Sequence, residues 1–343
     1  MKKIFSLLVG VMLFANTIVF ASEIEIQPTM YSKTLAADRV WCGTFQLAWN
    51  DFINKIVFNP VRFREGTPAS VIELNKQSFN INDISEKDCY KYSGKVRKNT
   101  KKQIAKAIKR KFKETSDILD KLDLTARGDM YLIYAMLKKD FEFVHAFDKL
   151  GKDIFAKDAF VEYFGIDRNS EKKLREGVNV LFYNNEDDFA VELLTSGEDI
   201  VYLYKNSINK PFNFIYSDMM KKQRSYNGAR EFKKVDELRV PNISLSEEKS
   251  YEELTNKRIM GTNLVINQAV QSIKFNMDDR GVKLKSEAGL TAVVTSIHPE
   301  EECVPRMFYF DDTFVVFIKE KSKSNPYFAL RVNDITKFQN KVF

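Results

Sequence analysis

The sequence predicts an α+β domain, helices first and strands after, and three observations carry that prediction. Apolar residues in the first third recur every three or four positions. After about residue 130 the pattern gives way to short runs of β-formers separated by Asn, Asp and Gly. Finally, 343 residues with 44% hydrophobic and 13% aromatic content, 28 of them Phe, supply a sizeable core. Neither repeats nor a Pro- or Gly-rich linker divides the chain, so one domain is expected over residues 22–343.

Taking the elements in order, residues 44–56 place Phe45, Leu47, Ala48, Trp49, Phe52, Ile53 and Ile56 along one apolar face, which predicts a helix. Residues 100–122 do the same with Ile104, Ala107, Ile108, Phe112, Ile118, Leu119 and Leu122. Strands are predicted over 130–137, 178–183, 189–194, 200–204, 264–277, 308–318 and 327–332. Helical stretches recur near 212–222 and 250–257. In 282–294 the even positions Val282, Leu284, Ser286, Ala288, Leu290, Ala292 and Val294 are apolar or small, and the odd positions up to Thr291 are Lys, Lys, Glu, Gly and Thr. That period of two is a strand with one face ready for burial. Residues 295–306 then read as an exposed, proline-containing loop.

The N-terminus has the layout of a secretory signal peptide: Lys2-Lys3, an apolar run from Ile4, and Val19-Phe20-Ala21 before Ser22. Cleavage after Ala21 is expected, giving a secreted, extracellular protein without a membrane span. In an oxidising compartment one pair among Cys42, Cys89 and Cys303 could be bridged.

Composition excludes several chemistries. With two His and three Cys there is no cluster of His ligands and no four-cysteine zinc site, so neither metal nor cofactor is expected. Phosphate-cradling glycine loops and a Gly-x-Ser-x-Gly elbow are missing from the sequence. Cys42, at a predicted helix start, is the one weak candidate for a thiol nucleophile, and the chain is read as a non-enzyme. The net charge of +7 is local. Residues 95–113 carry ten Lys or Arg and no acid, and Lys101, Lys102, Lys106, Lys109, Arg110 and Lys113 fall on the exposed faces of the predicted helix. Such a patch suits a polyanion, a glycosaminoglycan or a teichoic acid. Nucleic acid is not expected, because aromatics do not interleave the bases.

The segment from 265 onward resembles the C-terminal part of the serpins. Asp279-Arg280-Gly281 is similar to that family's hinge, and Ser286-Glu287-Ala288 to the stretch after it. Phe308-Tyr-Phe-Asp311 and Phe314 resemble its penultimate strand, and Phe328-Ala-Leu-Arg331-Val332 its last. Leu132–Leu137 with Phe143 and Phe147 is similar to a central-sheet strand, and Val235–Pro241 to a strand ending in proline. The basic helix falls where some serpins bind glycosaminoglycans. Departures are Tyr134 before Ala135, Gln271 where the family has His, Asp312-Thr313 for Arg-Pro, and the bulky hinge residues Val282 and Leu284.

The resemblance implies a reactive-centre-like loop over about 281–307, with Asp279, Gly281, Ser286, Glu287 and Ala288 at its hinge. Thr295, Ser296, His298, Glu301, Cys303 and Arg306 would lie in the exposed part. The scissile bond stays open between Thr295-Ser296 and positions nearer His298 or Glu301. The implied function is inhibition of an extracellular protease by insertion of the cut loop into the central sheet. The alternative is a non-inhibitory binding protein that uses the basic helix.

Overall fold

Strand formation follows the β-branched and aromatic runs, and most helices are short. A computed structural model describes residues 24–125, 130–283 and 305–339. The chain opens with β1 (Glu25–Gln27) and β2 (Arg39–Cys42), then α1 (Thr44–Phe52), which runs into a π-helical turn (Ile53–Val57). Next come α2 (Ala69–Leu74), β3 (Cys89–Lys95) and α3 (Thr100–Phe112). Four strands follow: β4 (Tyr131–Leu137), β5 (Asp140–Glu142), β6 (Asp148–Phe155) and β7 (Ala159–Ile166). The short α4 (Lys172–Arg175) precedes β8 (Val178–Asn185), β9 (Asp188–Leu194) and β10 (Asp199–Lys205). After α5 (Phe212–Ser225) come β11 (Glu237–Pro241), β12 (Ile243–Ser250), β13 (Val270–Asp278) and β14 (Gly281–Lys283). Last are β15 (Met307–Tyr309), β16 (Phe314–Glu320) and β17 (Phe328–Val332).

The largest sheet has seven strands in the order β1-β2-β17-β16-β10-β9-β8. Its centre is buried on both faces: Val315, Val316, Phe317, Ala329 and Leu330 are all inaccessible. A second sheet orders β15-β11-β7-β6, and a third β12-β13-β14-β5, while β3 pairs with β4 alone. Helices lie outside the sheets, and the helical content falls mostly early in the chain, as the sequence predicts.

Several boundaries differ from the sequence reading. The helix from 100 ends at Phe112, because Lys113 takes a left-handed turn with φ 59°. Residues 264–269 do not join β13; strand pairing begins only at Val270. The run 308–318 breaks at Asp311-Asp312-Thr313, where Asp311 accepts from Lys205 Nζ at 2.6 Å. The helix expected near 250–257 is a single 3-10 turn at Glu252–Leu254, since β12 continues to Ser250. Of the strand predicted from 282, residues 284–304 lie outside the described ones, as do 1–23 with the signal peptide. None of the helices among the described residues is long and apolar enough to cross a membrane.

Candidate functional site

The turn between β13 and β14 leads into a cleft. β13 turns at Asp279-Arg280 and returns as β14, antiparallel to it, with Met277 opposite Val282 and Asp278 opposite Gly281. On its other side β14 pairs antiparallel with β5, Val282 opposite Phe141 and Gly281 opposite Glu142. The turn is held in place: Phe143 N–H donates to the Arg280 carbonyl at 2.9 Å, and Phe147 N–H to that of Asp279 at 2.8 Å. Gly281 is required by close approach. A Cβ there would lie 2.3 Å from the Phe141 carbonyl oxygen and 2.7 Å from Glu142 Cα.

Beyond β14 the two banks continue without a strand between them. β4 leads into β5 through Lys138 and Lys139, so both run in the direction of β13. Among the described residues β4 pairs along one edge only, with β3, and residues 270–275 of β13 pair only with β12. The space between is a cleft of about 890 Å³. Its floor is α1, through Phe45, Ala48, Trp49 and Phe52, and residues 114–118 and 122–124 line its outer side. On the banks Ile133, Ala135 and Leu137 turn toward the main core, and so do the buried Gln271, Ile273 and Phe275 of β13. Leu132, Tyr134 and Met136 turn the other way, toward α3. A gap between two strand edges running the same way is a template for a third strand antiparallel to both.

Two polar nodes brace this cleft. Gln271 accepts from Tyr251 Oη at 2.7 Å and donates to the Cys42 carbonyl at 3.2 Å and Thr44 Oγ1 at 3.0 Å. It thereby ties β13 to the start of α1. At the head, Lys139 is 2% exposed and its Nζ lies 2.6 Å from Glu320, 2.8 Å from Asp88 and 3.0 Å from Asp199. Ser85 donates to Glu320 through N–H and Oγ, and Tyr327 Oη donates to Asp199 at 3.0 Å. Burial pushes Asp199 above the usual carboxylate range. Burial acts the same way on Glu320, yet the bonds from Lys139 and Ser85 outweigh it and hold that carboxyl low. The sequence reading overlooked Lys139; its one visible signal is a lysine directly after an apolar strand.

The predicted site residues divide into three groups. Asp279 and Gly281 sit at the β13–β14 turn. Ser286, Glu287, Ala288, Thr295, Ser296, His298, Glu301 and Cys303 lie outside the described residues. Arg306, placed in the exposed loop from sequence, is anchored. Its guanidinium meets the fully buried Asp236 at 2.6 Å, donates to the Ala229 and Glu231 carbonyls, and covers the Phe308 ring.

On α3, Ile104, Ile108 and Phe112 are buried against Leu132 and Tyr134. Lys102, Lys106, Lys109, Arg110 and Lys113 are exposed, and Lys101 pairs with Asp120 at 2.9 Å. Cys42 and Cys89 are buried free thiols. Burial raises both, Cys89 to about 11, the opposite of nucleophile activation.

No family model matches the chain, and neither does any curated protein. Among solved structures it is similar to Serpin48 of the insect Tenebrio molitor, at 16% identity and a TM-score of 0.44, over 89% of this chain and 94% of that one. Human thyroxine-binding globulin gives 12% identity and a TM-score of 0.44, over 84% and 96%. Human kallistatin gives 14% and 0.43, over 80% and 72%. At TM-scores of 0.43 to 0.44 these are partial likenesses of fold, the first of them to a serpin.

Proposed function

We propose that the protein is a secreted, serpin-like protease inhibitor that acts when a protease cuts its loop and the freed segment enters the cleft as a new strand. The observation that carries this reading is the seating of β14. The first three residues of the segment are already paired on both sides, at the head of a cleft whose banks continue in the same directions. In this proposal the register of β14 is extended down the cleft. Residue 284 then comes between Phe275 and Lys139, 286 between Ile273 and Leu137, and 288 between Gln271 and Ala135. Leu284, Ser286 and Ala288 would face the core, and Lys285 and Glu287 the outside. Val282, fully buried, sets that phase.

Nicking within 291–306 with a broad protease tests the proposal. The expected result is a rise in melting temperature on the order of 10 °C, as a net ~5 kcal/mol of new strand pairing gives in a chain of this size. A complex with the target protease should also survive denaturing gels. If nicking brings neither a rise nor a complex, the inhibitor reading fails.

A second reading, a binding protein that holds a polyanion, is favoured by α3. Its exposed bases Lys102, Lys106, Lys109 and Arg110 form one positive face. Neutralising these four should lower the salt needed for elution from a heparin-type column. Unchanged elution would reduce the face to a solvated helix surface.

A further inference from the structure

The cleft has a cover. Residues 114–124 leave the end of α3 and cross from the β4 bank to the β12–β13 bank, and the two ends of this strap are attached by different physics. On the β4 side the attachment is buried. Leu119 is 3% exposed and packs with Ile104, Ile108, Phe112, Leu132 and Tyr134. Tyr134 Oη donates to Ser116 Oγ at 2.9 Å, and Lys138 pairs with Glu114 at 3.2 Å, both lysine and glutamate being largely shielded.

On the far side the contacts are polar and wet. Lys274 of β13 pairs with Asp117 at 2.7 Å, with side chains 38% and 45% exposed. Lys121 pairs with Glu248 of β12, at 57% and 34% exposure. The Asp123 amide donates to the Gln268 side-chain oxygen at 2.7 Å. No buried apolar side chain of the strap is seated on that bank among the described residues.

We infer that residues 114–124 are a salt-sensitive latch over the cleft, hinged on the β4–α3 side and released from the β12–β13 side. Exposed ion pairs weaken as salt screens them, while the buried Leu119 cluster does not. The strap therefore opens in one direction and stays tethered to α3. A latched strap holds the two banks at a fixed separation; a released one leaves them free to part. The importance of the latch for strand insertion rests on the proposed function, but its existence does not.

Hydrogen exchange on the uncut protein tests it. The Asp123 amide is the direct reporter, since its partner sits on the far bank. Raising salt from about 0.05 M to about 1 M should speed exchange across 117–124 several-fold, because the screening length shrinks to about 3 Å. The double variant Asp117→Asn with Lys121→Gln should speed it by about 2- to 30-fold at low salt, the range for two exposed pairs of ordinary strength. Reversing one pair, Asp117→Lys with Lys274→Asp, should return exchange toward the wild-type rate.

Peptides covering β10 and β16 should be unchanged, which separates latch opening from loss of the fold. Peptides covering β4 and residues 270–275 should speed up together with the strap. Strap exchange indifferent to salt and to the double variant would overturn the latch. So would a strap that loosens while β4 and β13 do not respond, for it would then be a surface loop with no hold on the cleft. Neither readout needs the loop to be cut, so absence of stabilisation after nicking would sink the inhibitor reading and leave this result standing on its own.

Discussion

Replacing Gly281 by Ala tests whether the seat of β14 matters. The added methyl would meet the Phe141 carbonyl oxygen at 2.3 Å and Glu142 Cα at 2.7 Å, whereas ordinary contact begins near 3.4 Å. Both obstacles are backbone, so neither can rotate aside. β14 must retreat from β5 by about 1 Å or leave. Overpacking of this kind costs about 1–3 kcal/mol. An upper bound comes from departure: the buried Val282 would be exposed, at about 1.5–3 kcal/mol. The better strand propensity of Ala returns some of this, at most about 1 kcal/mol. A net loss of about 1–3 kcal/mol follows, or a melting temperature lower by about 2–6 °C. Gly94→Ala serves as the control, since a Cβ there has its nearest neighbour at 3.5 Å, the Tyr92 hydroxyl. Thermal melts of the intact and the nicked protein give the readout. Gly281→Ala should melt lower when intact and gain less on nicking, because the segment no longer starts from a paired position. Wild-type melting together with a wild-type gain would refute the claim that the β14–β5 pairing guides insertion.

Three further outcomes are expected. Lys139→Met strands Glu320, Asp199 and Asp88 without their shared cation and should cost about 3–5 kcal/mol in urea unfolding; a loss under about 1 kcal/mol would show that the cluster is not what fixes the cleft head. Asp51 loses some ionised-form stability to burial, but bonds from Lys55, Lys91 and Ser93 outweigh it and hold its carboxyl below the ordinary value. Its contribution is thus present above the unfolded value near pH 4 and lost as pH falls through the lowered folded one, so Asp51→Asn should be less stable at neutral pH with a flatter acid limb. A parallel acid limb would contradict this. Arg306→Ala leaves the buried Asp236 unpaired and should cost about 3 kcal/mol, with Arg306→Lys recovering part of it; equal losses in both variants would show that the charge is not what counts.

What the sequence made legible was local. The apolar runs of β9, β10, β16 and β17 are visible because these strands are largely buried on both faces and need β-formers at nearly every position. The stripe of Ile104, Ile108 and Phe112 is visible because one helix face alone packs. β6 escaped notice for the opposite reason. It is an edge strand with only Phe155 buried, so its residues show no alternation to read. The β13–β14 turn was legible as Asp-Arg-Gly chemistry, but the cleft beside it was not. A cleft is the absence of a strand between Ile133 and Ile273, residues 140 positions apart, and no periodicity encodes what two distant segments leave between them. The role of Lys139 is hidden likewise, since its partners Asp88, Asp199 and Glu320 come from three remote parts of the chain.

The bulk of Val282 and Leu284, which counts against an inserting hinge when only the sequence is read, takes on a different meaning at the cleft. Val282 is fully buried between Phe141 and Met277, so a branched side chain fits at the first inward level. The resistance lies one level down. There the banks are Phe275, fully buried, and Lys139, held by three carboxylates. Two levels further they are Gln271 and Ala135, and Ala135 is the smallest side chain on β4. A strand extending β14 therefore meets its narrowest and most rigid point early, and a wider channel after it. In the proposed insertion the expected limiting step is loosening of the Lys139 cluster, with little resistance from bulk deeper in the cleft. Lys139→Met would then separate two effects that usually travel together, lowering the stability of the uncut protein while shortening the time the nicked one takes to reach its final melting temperature. A nicked variant that stabilises no faster than wild type would place the barrier elsewhere.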